Sequence, residues 1–162
     1  MKIMDSFSNN TKKIGPPLNM AIKYLAYQPR TVYEIQEYLK KKGISEDFIK
    51  KIIEILLEKK YLDDRYFAKF FIETKAKHKP KSKFAFRYEL KKKGINPSII
   101  DAVLTHYDDQ DLALKSVRPK IKTWHRLDNK TFKKKMMNFL RYRGFNYDIC
   151  LATLTHFIES RD

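Results

Sequence analysis

The sequence predicts an all-α fold of three tandem three-helix repeats with helix-turn-helix character. Three observations carry that expectation. A glycine-centred segment recurs as YLKKKGISEDFIKKIIEIL, ELKKKGINPSIIDAVLTHY and FLRYRGFNYDICLATLTHF, around Gly43, Gly94 and Gly144. Apolar residues follow each glycine in the i, i+4, i+7 rhythm of an amphipathic helix: Ile49, Ile53 and Leu56, then Ile100, Leu104 and Tyr107, then Cys150, Leu154 and Phe157. No segment makes a convincing strand.

The elements follow in chain order. Residues 1–17 are polar and end in Gly15-Pro16-Pro17, so they read as a flexible tail. The first repeat, 18–62, opens with a helix from Leu18 to about Tyr27 that aligns Leu18, Ala21, Ile22 and Leu25. Thr31 and Glu34 have capping-box spacing and open the helix that ends at Gly43. The second repeat, 63–107, starts with Asp63-Asp64 ahead of a helix carrying Phe67, Phe70 and Phe71. The third, 108–162, starts near Asp108, carries Leu114 and Val117, and meets Pro119, which is expected to disturb its first helix. Gly43, Gly94 and Gly144 stand where a helix C-terminus needs positive φ. Ser45, Asn96 and Asn146 follow as N-caps, with Pro97 suited to a first helical position. Each unit alone buries little, so neighbours must share contacts, and serial units of this kind make an elongated molecule.

The repeat also explains several chemically tempting residues. Cys150 fills the slot of Ile49 and Ile100, which reads as core rather than nucleophile. His106 and His156 recur in one slot, and His78 and His125 have no partners at metal-ligand spacing. Trp124 reads as local packing. Asp63 and Asp64 sit where carboxylates cap a helix and complement its dipole, and with Tyr61 they count as structural motif residues alongside the three glycines. With four glycines in the chain there is no phosphate-binding loop. No catalytic constellation, cofactor site or metal site is expected, and the chain reads as a non-enzyme. One cysteine excludes an intramolecular disulfide and suits a reducing cytoplasm. No apolar run is long enough to span a membrane, so no membrane partner is expected.

Charge points to a partner. The net charge is +16, and it is uneven. Residues 18–64 hold nine basic and eight acidic side chains, 65–110 hold eleven and five, and 111–162 hold twelve and five. A polyanion meeting the second and third repeats would account for the asymmetry. Lys75, Lys77, Lys79, Lys81, Lys83, Arg87, Lys91, Lys92 and Lys93 crowd around a single acid, Glu89. Lys130, Lys133, Lys134, Lys135, Arg141 and Arg143 gather before Gly144. The solvated-face reading applies to any one lysine but not to the stripe. Phe67, Phe70, Phe71 and Phe86 are assigned to the core. Tyr66, Tyr88 and Tyr142 are expected core or half-buried, with base stacking or a protein interface as the open alternative.

These residues carry a family resemblance. Tyr61-Leu62-Asp63-Asp64-Arg65-Tyr66-Phe67-Ala68, Tyr88-Glu89-Leu90-Lys91-Lys92-Lys93-Gly94-Ile95 and Phe139-Leu140-Arg141-Tyr142-Arg143-Gly144-Phe145 resemble three motifs of the bacterial RecX family. The stretch from Ala21 to Gly43 resembles its opening element. The match covers about residues 18–158. Two positions depart from the pattern. Lys60 replaces a common glycine, at the cost of a left-handed turn, and the Lys79-Pro80-Lys81 loop lacks the usual glycine. The resemblance implies a modular, curved, all-helical regulator of the RecA recombinase. Such a protein binds the RecA filament on single-stranded DNA and limits its growth, ATP hydrolysis and strand exchange. The partners so implied are the RecA filament and single-stranded DNA, with double-stranded DNA bound weakly and salt-sensitively, and the chain is expected to be a monomer. The basic residues expected to meet RecA or DNA are Lys83, Arg87, Lys91, Lys92, Lys93, Lys130, Lys134, Arg141 and Arg143. The rival reading is a stand-alone helix-turn-helix DNA-binding module, and a third is an RNA-associated basic protein.

Overall fold

A computed structural model describes residues 2–160, with side chains from Lys13 to Ser160. Among the described residues the only regular secondary structure is helix, with no strand. In chain order they form α1 (Lys2–Tyr27), α2 (Val32–Lys41), α3 (Glu46–Glu58), α4 (Asp64–His78), α5 (Lys83–Lys92), α6 (Pro97–Leu104), α7 (Asp109–Trp124), α8 (Asn129–Tyr142) and α9 (Tyr147–Glu159).

The chain separates into two compact units, which cut across the repeats. Unit 1 runs to Phe67 and takes in Lys93–Ile95; unit 2 holds Ala68–Lys92 and everything from Asn96 on. In unit 1, α1, α2 and α3 pack on one another around Ala21, Ile35, Leu39, Ile49, Ile52, Ile53, Leu56 and Leu62. In unit 2, α7, α8 and α9 form a second triangle, and α5 packs on α6. Phe132, Met136 and Leu140 on α8 and Cys150, Thr153 and Leu154 on α9 are buried.

The caps form as the sequence requires. Thr31 accepts from the Glu34 N–H while Glu34 accepts from the Thr31 N–H, closing the capping box. Asn96 and Asn146 cap α6 and α9, whereas Ser45 makes no side-chain cap bond. Gly43, Gly94 and Gly144 have φ of +77°, +74° and +86°. Contrary to expectation, Lys60 in place of the usual glycine keeps the left-handed turn that closes α3, with φ of 58°. The Tyr61 N–H then reaches back 2.8 Å to the Leu56 carbonyl.

Four expectations need correction. Where a tail was expected over residues 1–17, α1 is helical from Lys2, with Pro16 and Pro17 inside it. Ile14 packs on the first core and Pro17 is buried, a gain that offsets the two backbone N–H groups the prolines lack. Met1 of that segment lies outside the described residues. Second, Pro119 does not disturb α7, which continues to Trp124. The carbonyl it leaves unbonded belongs to exposed Lys115, where water can satisfy it. Third, Phe70 is 48% exposed and Phe71 only half-buried, because α4 buries Phe67, Ala68 and Ile72 on a face that Phe70 does not share. Fourth, the buried face of α7 is Leu112, Ala113, Ser116 and Val117, with Leu114 only at its edge.

One junction occurs twice. In unit 1 the Thr31 hydroxyl donates to the Lys93 carbonyl at 2.6 Å, and the Val32 N–H donates to Asp64 Oδ1 at 2.9 Å. In unit 2 the Ser82 N–H donates to the Arg143 carbonyl at 3.1 Å, and the Lys83 N–H donates to Asp109 Oδ1 at 2.7 Å. Lys93 and Arg143 each precede a turn glycine, and Asp64 and Asp109 each begin the first helix of a repeat. The free amides at the start of one repeat's second helix are thus satisfied by the next repeat. Thr31 and Ser82 are buried polar residues, and both are hydrogen-bonded. This junction explains why Lys93–Ile95 group with unit 1.

Candidate interaction surface

The acidic pair is structural. Asp63 caps α4 by accepting from the Tyr66 N–H, while Asp64 turns to α2. Burial raises the Asp64 pKa above its ordinary value, the bond from Val32 opposes the rise, and Asp63 and Glu34 add to it. Cys150 is fully buried, and burial pushes its thiol pKa up, away from the thiolate a nucleophile needs. Trp124 packs edge-on against Phe139, 5.5 Å between centroids. Among the described residues no cluster of His, Cys, Asp or Glu could hold a metal ion.

The basic candidates divide into two kinds. Lys93 and Arg143 are built into the junctions. Lys93 Nζ lies 2.7 Å from Glu34 and 5.5 Å from the Phe67 ring centroid. Arg143 donates to the Pro80 carbonyl at 3.0 Å and stacks on Phe139 at 4.8 Å. Burial lowers its pKa, against a smaller upward pull from Tyr142. Pro80 is itself buried, so the loop without the usual glycine is anchored by Arg143. Arg87 is bound in part, forking onto Asp101 Oδ1 through Nε at 3.1 Å and Nη2 at 2.8 Å.

The remaining cations are open. Lys83 is half-buried and uses its backbone N–H in a junction, and among the described residues neither it nor exposed Lys91 has an ion pair. Lys92 lies 4.5 Å from the Tyr88 ring centroid. Lys130, Lys134 and Arg141 are exposed and, at about 100° per residue, share one face of α8. Glu89, the one acid on α5, is neutralised by Lys75 at 3.7 Å and Lys81 at 2.5 Å. Every basic candidate except Lys93 falls in unit 2.

The tyrosines are more exposed than expected: Tyr66 by 64%, Tyr88 by 56% and Tyr142 by 88%. None is a core residue, because the core faces of α4, α5 and α8 are filled by Phe67, Phe86 and Met136 with their neighbours. Sequence reasoning missed Phe84, which is 71% exposed. The signal was present: Phe86 holds the core slot, and two residues along a helix turn the side chain roughly 200° away.

Comparison with known proteins assigns the chain. Residues 18–56 match the sequence model of the RecX first three-helix domain, 63–104 that of the second and 107–154 that of the third. The chain belongs to the RecX family. The regulatory protein RecX of Chlorobium phaeobacteroides is 33% identical over 142 residues, covering 88% of this chain and 93% of that protein. The RecX of Bacillus licheniformis is 34% identical over 137 residues, covering 83% of this chain and 52% of that protein. The chain thus spans about half the length of some curated RecX relatives and nearly all of others. The crystal structure of RecX from Lactobacillus salivarius matches with a TM-score of 0.76 at 25% identity, over 90% of this chain and 97% of that one. Both the helices and their grouping in threes are therefore RecX features. No helix among the described residues is long and apolar enough to cross a membrane.

Proposed function

We propose that this chain is a non-catalytic regulator, mainly an inhibitor, of RecA. It binds the RecA filament on single-stranded DNA and modulates filament growth, ATP hydrolysis and strand exchange in DNA repair and recombination. The supporting observation is the succession of three RecX domains on a chain whose positive charge is concentrated after residue 64. The open cations Lys83, Lys91, Lys92, Lys130, Lys134 and Arg141 provide electrostatic attachment to phosphate or to acidic protein, and Arg87 contributes if it leaves Asp101. Lys93 and Arg143 position the turns beside them. The attachment is salt-dependent and largely indifferent to sequence.

The groove-reading alternative finds little support in α6 and α9, which follow Gly94 and Gly144, whereas α3 after Gly43 carries Lys50 and Lys51. The exposed side of α9 carries Asp148, Leu151, Ala152, Thr155 and Glu159, and α6 has no basic residue. Such faces lack the Arg, Lys, Asn and Gln that read base edges.

The deciding experiment titrates this protein into single-stranded-DNA-dependent ATP hydrolysis by the cognate RecA. Inhibition well below one copy per RecA indicates capping or local remodelling of the filament. Inhibition only near one per protomer indicates coating of its groove. No effect, with filaments seen by microscopy, overturns the proposal.

A further inference from the structure

We propose that the outward face of α5 is a stacking platform for single-stranded nucleic acid, with Phe84 and Tyr88 taking bases and Lys91 and Lys92 taking the adjoining phosphates. The inference rests on the RecX reading above and adds where a single strand lies.

α5 is amphipathic in an unusual sense. Its inner face buries Phe86 and Leu90 completely. At about 100° per residue, the opposite face is centred on Tyr88, with Phe84 one turn before it and Lys91 and Lys92 one turn after. Phe84 and Tyr88 are 71% and 56% exposed and lie one turn apart on the same outward face, which makes them a paired aromatic surface. Neither serves the core, the capping or the junctions. Lys92 already lies against the Tyr88 ring at 4.5 Å, which places a cation beside the aromatic surface.

Charge selects the occupant. Among the described residues Lys91 and Lys92 have no ion-pair partner, and Arg87, tied to Asp101, flanks the stripe. The one acid of the helix, Glu89, is held by Lys75 and Lys81. An uncompensated cationic stripe beside open rings suits a polyanion that carries flat apolar groups. Duplex bases are stacked on one another and closed to such rings, whereas single-stranded bases are free to stack, with every base offering a π-face.

The test uses the full chain without recombinase, so its failure is distinguishable from failure of the RecA reading. Binding to labelled oligothymidylate and to a duplex of equal length is followed by fluorescence anisotropy across a salt series. Both rings are exposed, so the F84A/Y88A variant keeps its fold, checked by circular dichroism. Loss of each ring is expected to weaken single-strand binding by about fivefold or more, while leaving the slope against salt unchanged. Tyr88→Phe retains binding. The K91Q/K92Q variant weakens binding and flattens the slope. Unchanged single-strand affinity in F84A/Y88A overturns the proposal. So does an equal loss on the duplex.

Discussion

Asp64 accepts a 2.9 Å hydrogen bond from the backbone N–H of Val32, a residue of the preceding repeat. Asp109 does the same for Lys83 at 2.7 Å. In each case a carboxylate at the start of one helix satisfies a free amide at the start of another, so one side chain joins consecutive repeats.

Asp64→Ala should destabilise the protein by about 1–2 kcal/mol, the usual range for losing a helix-capping acceptor. Urea unfolding checks this, and Asp109→Ala should behave alike. The pH dependence has a definite sign. Burial raises the folded Asp64 pKa above its ordinary 3.8. The stability linked to its protonation is therefore complete below the unfolded value and is lost as pH rises through the folded one. Asp64→Asn does not titrate there, so the parent should lose stability relative to Asp64→Asn as pH rises through that window. A flat difference would rule out desolvation as the dominant cause.

The three turn glycines should not be equally sensitive. Gly43→Ala meets open space and pays only for the left-handed backbone, about 1–2 kcal/mol. Gly94→Ala would also drive a methyl into the Tyr33 side chain, and Gly144→Ala would press on Ser82 Oγ at 2.7 Å and Ala85 Cβ at 3.0 Å. Each should cost at least about 1 kcal/mol more than Gly43→Ala in thermal unfolding. Equal costs would show that φ alone matters.

Lys60→Gly should stabilise. Lys60 holds φ of 58°, where a Cβ is strained. Relieving that strain, less the added chain entropy of glycine, leaves about 1 kcal/mol, or about 3 °C in Tm. A lower Tm in calorimetry would contradict it.

Arg143 and Arg141 should separate structure from surface. Arg143→Ala removes the bond to Pro80 and the stack on Phe139, and should cost about 1–2 kcal/mol. Arg141→Ala should leave the unfolding midpoint unchanged while weakening binding to a polyanion such as heparin. The opposite pattern would exchange their roles.

Charge reversal of Arg87, Lys91 and Lys92 to Glu should weaken filament binding and leave helical content intact. The salt slope should fall by about one for each lost phosphate contact. Unchanged affinity at moderate salt, measured by co-sedimentation, would remove α5 from the binding surface. Because Arg87 is tied to Asp101, the double reversal at Lys91 and Lys92 is the cleaner variant.

The sequence by itself determined most of the helices and their ends, though not the start of α1 at Lys2 or the continuation of α7 past Pro119. Thr31 with Glu34, Asn96 with Pro97, and the three turn glycines are local signals, since a cap or a left-handed turn depends on residues within one helical turn. The i, i+4, i+7 stripes likewise named Ile49, Ile53, Leu56, Ile100, Leu104, Cys150 and Leu154 as buried, while Tyr107 and Phe157 in the last slot are half-buried. Tertiary structure decided what spacing along the chain does not encode. It paired Asp64 with Val32 and sank Lys93 and Arg143 into junctions that look like surface charge in the sequence. It also sorted Phe84 from Phe86, two rings on one short helix, because only the packed neighbours establish which face of α5 is the inside. A carboxylate, a lysine or a phenylalanine has the same local propensity in either role; its partner, supplied by a distant part of the chain, assigns the role.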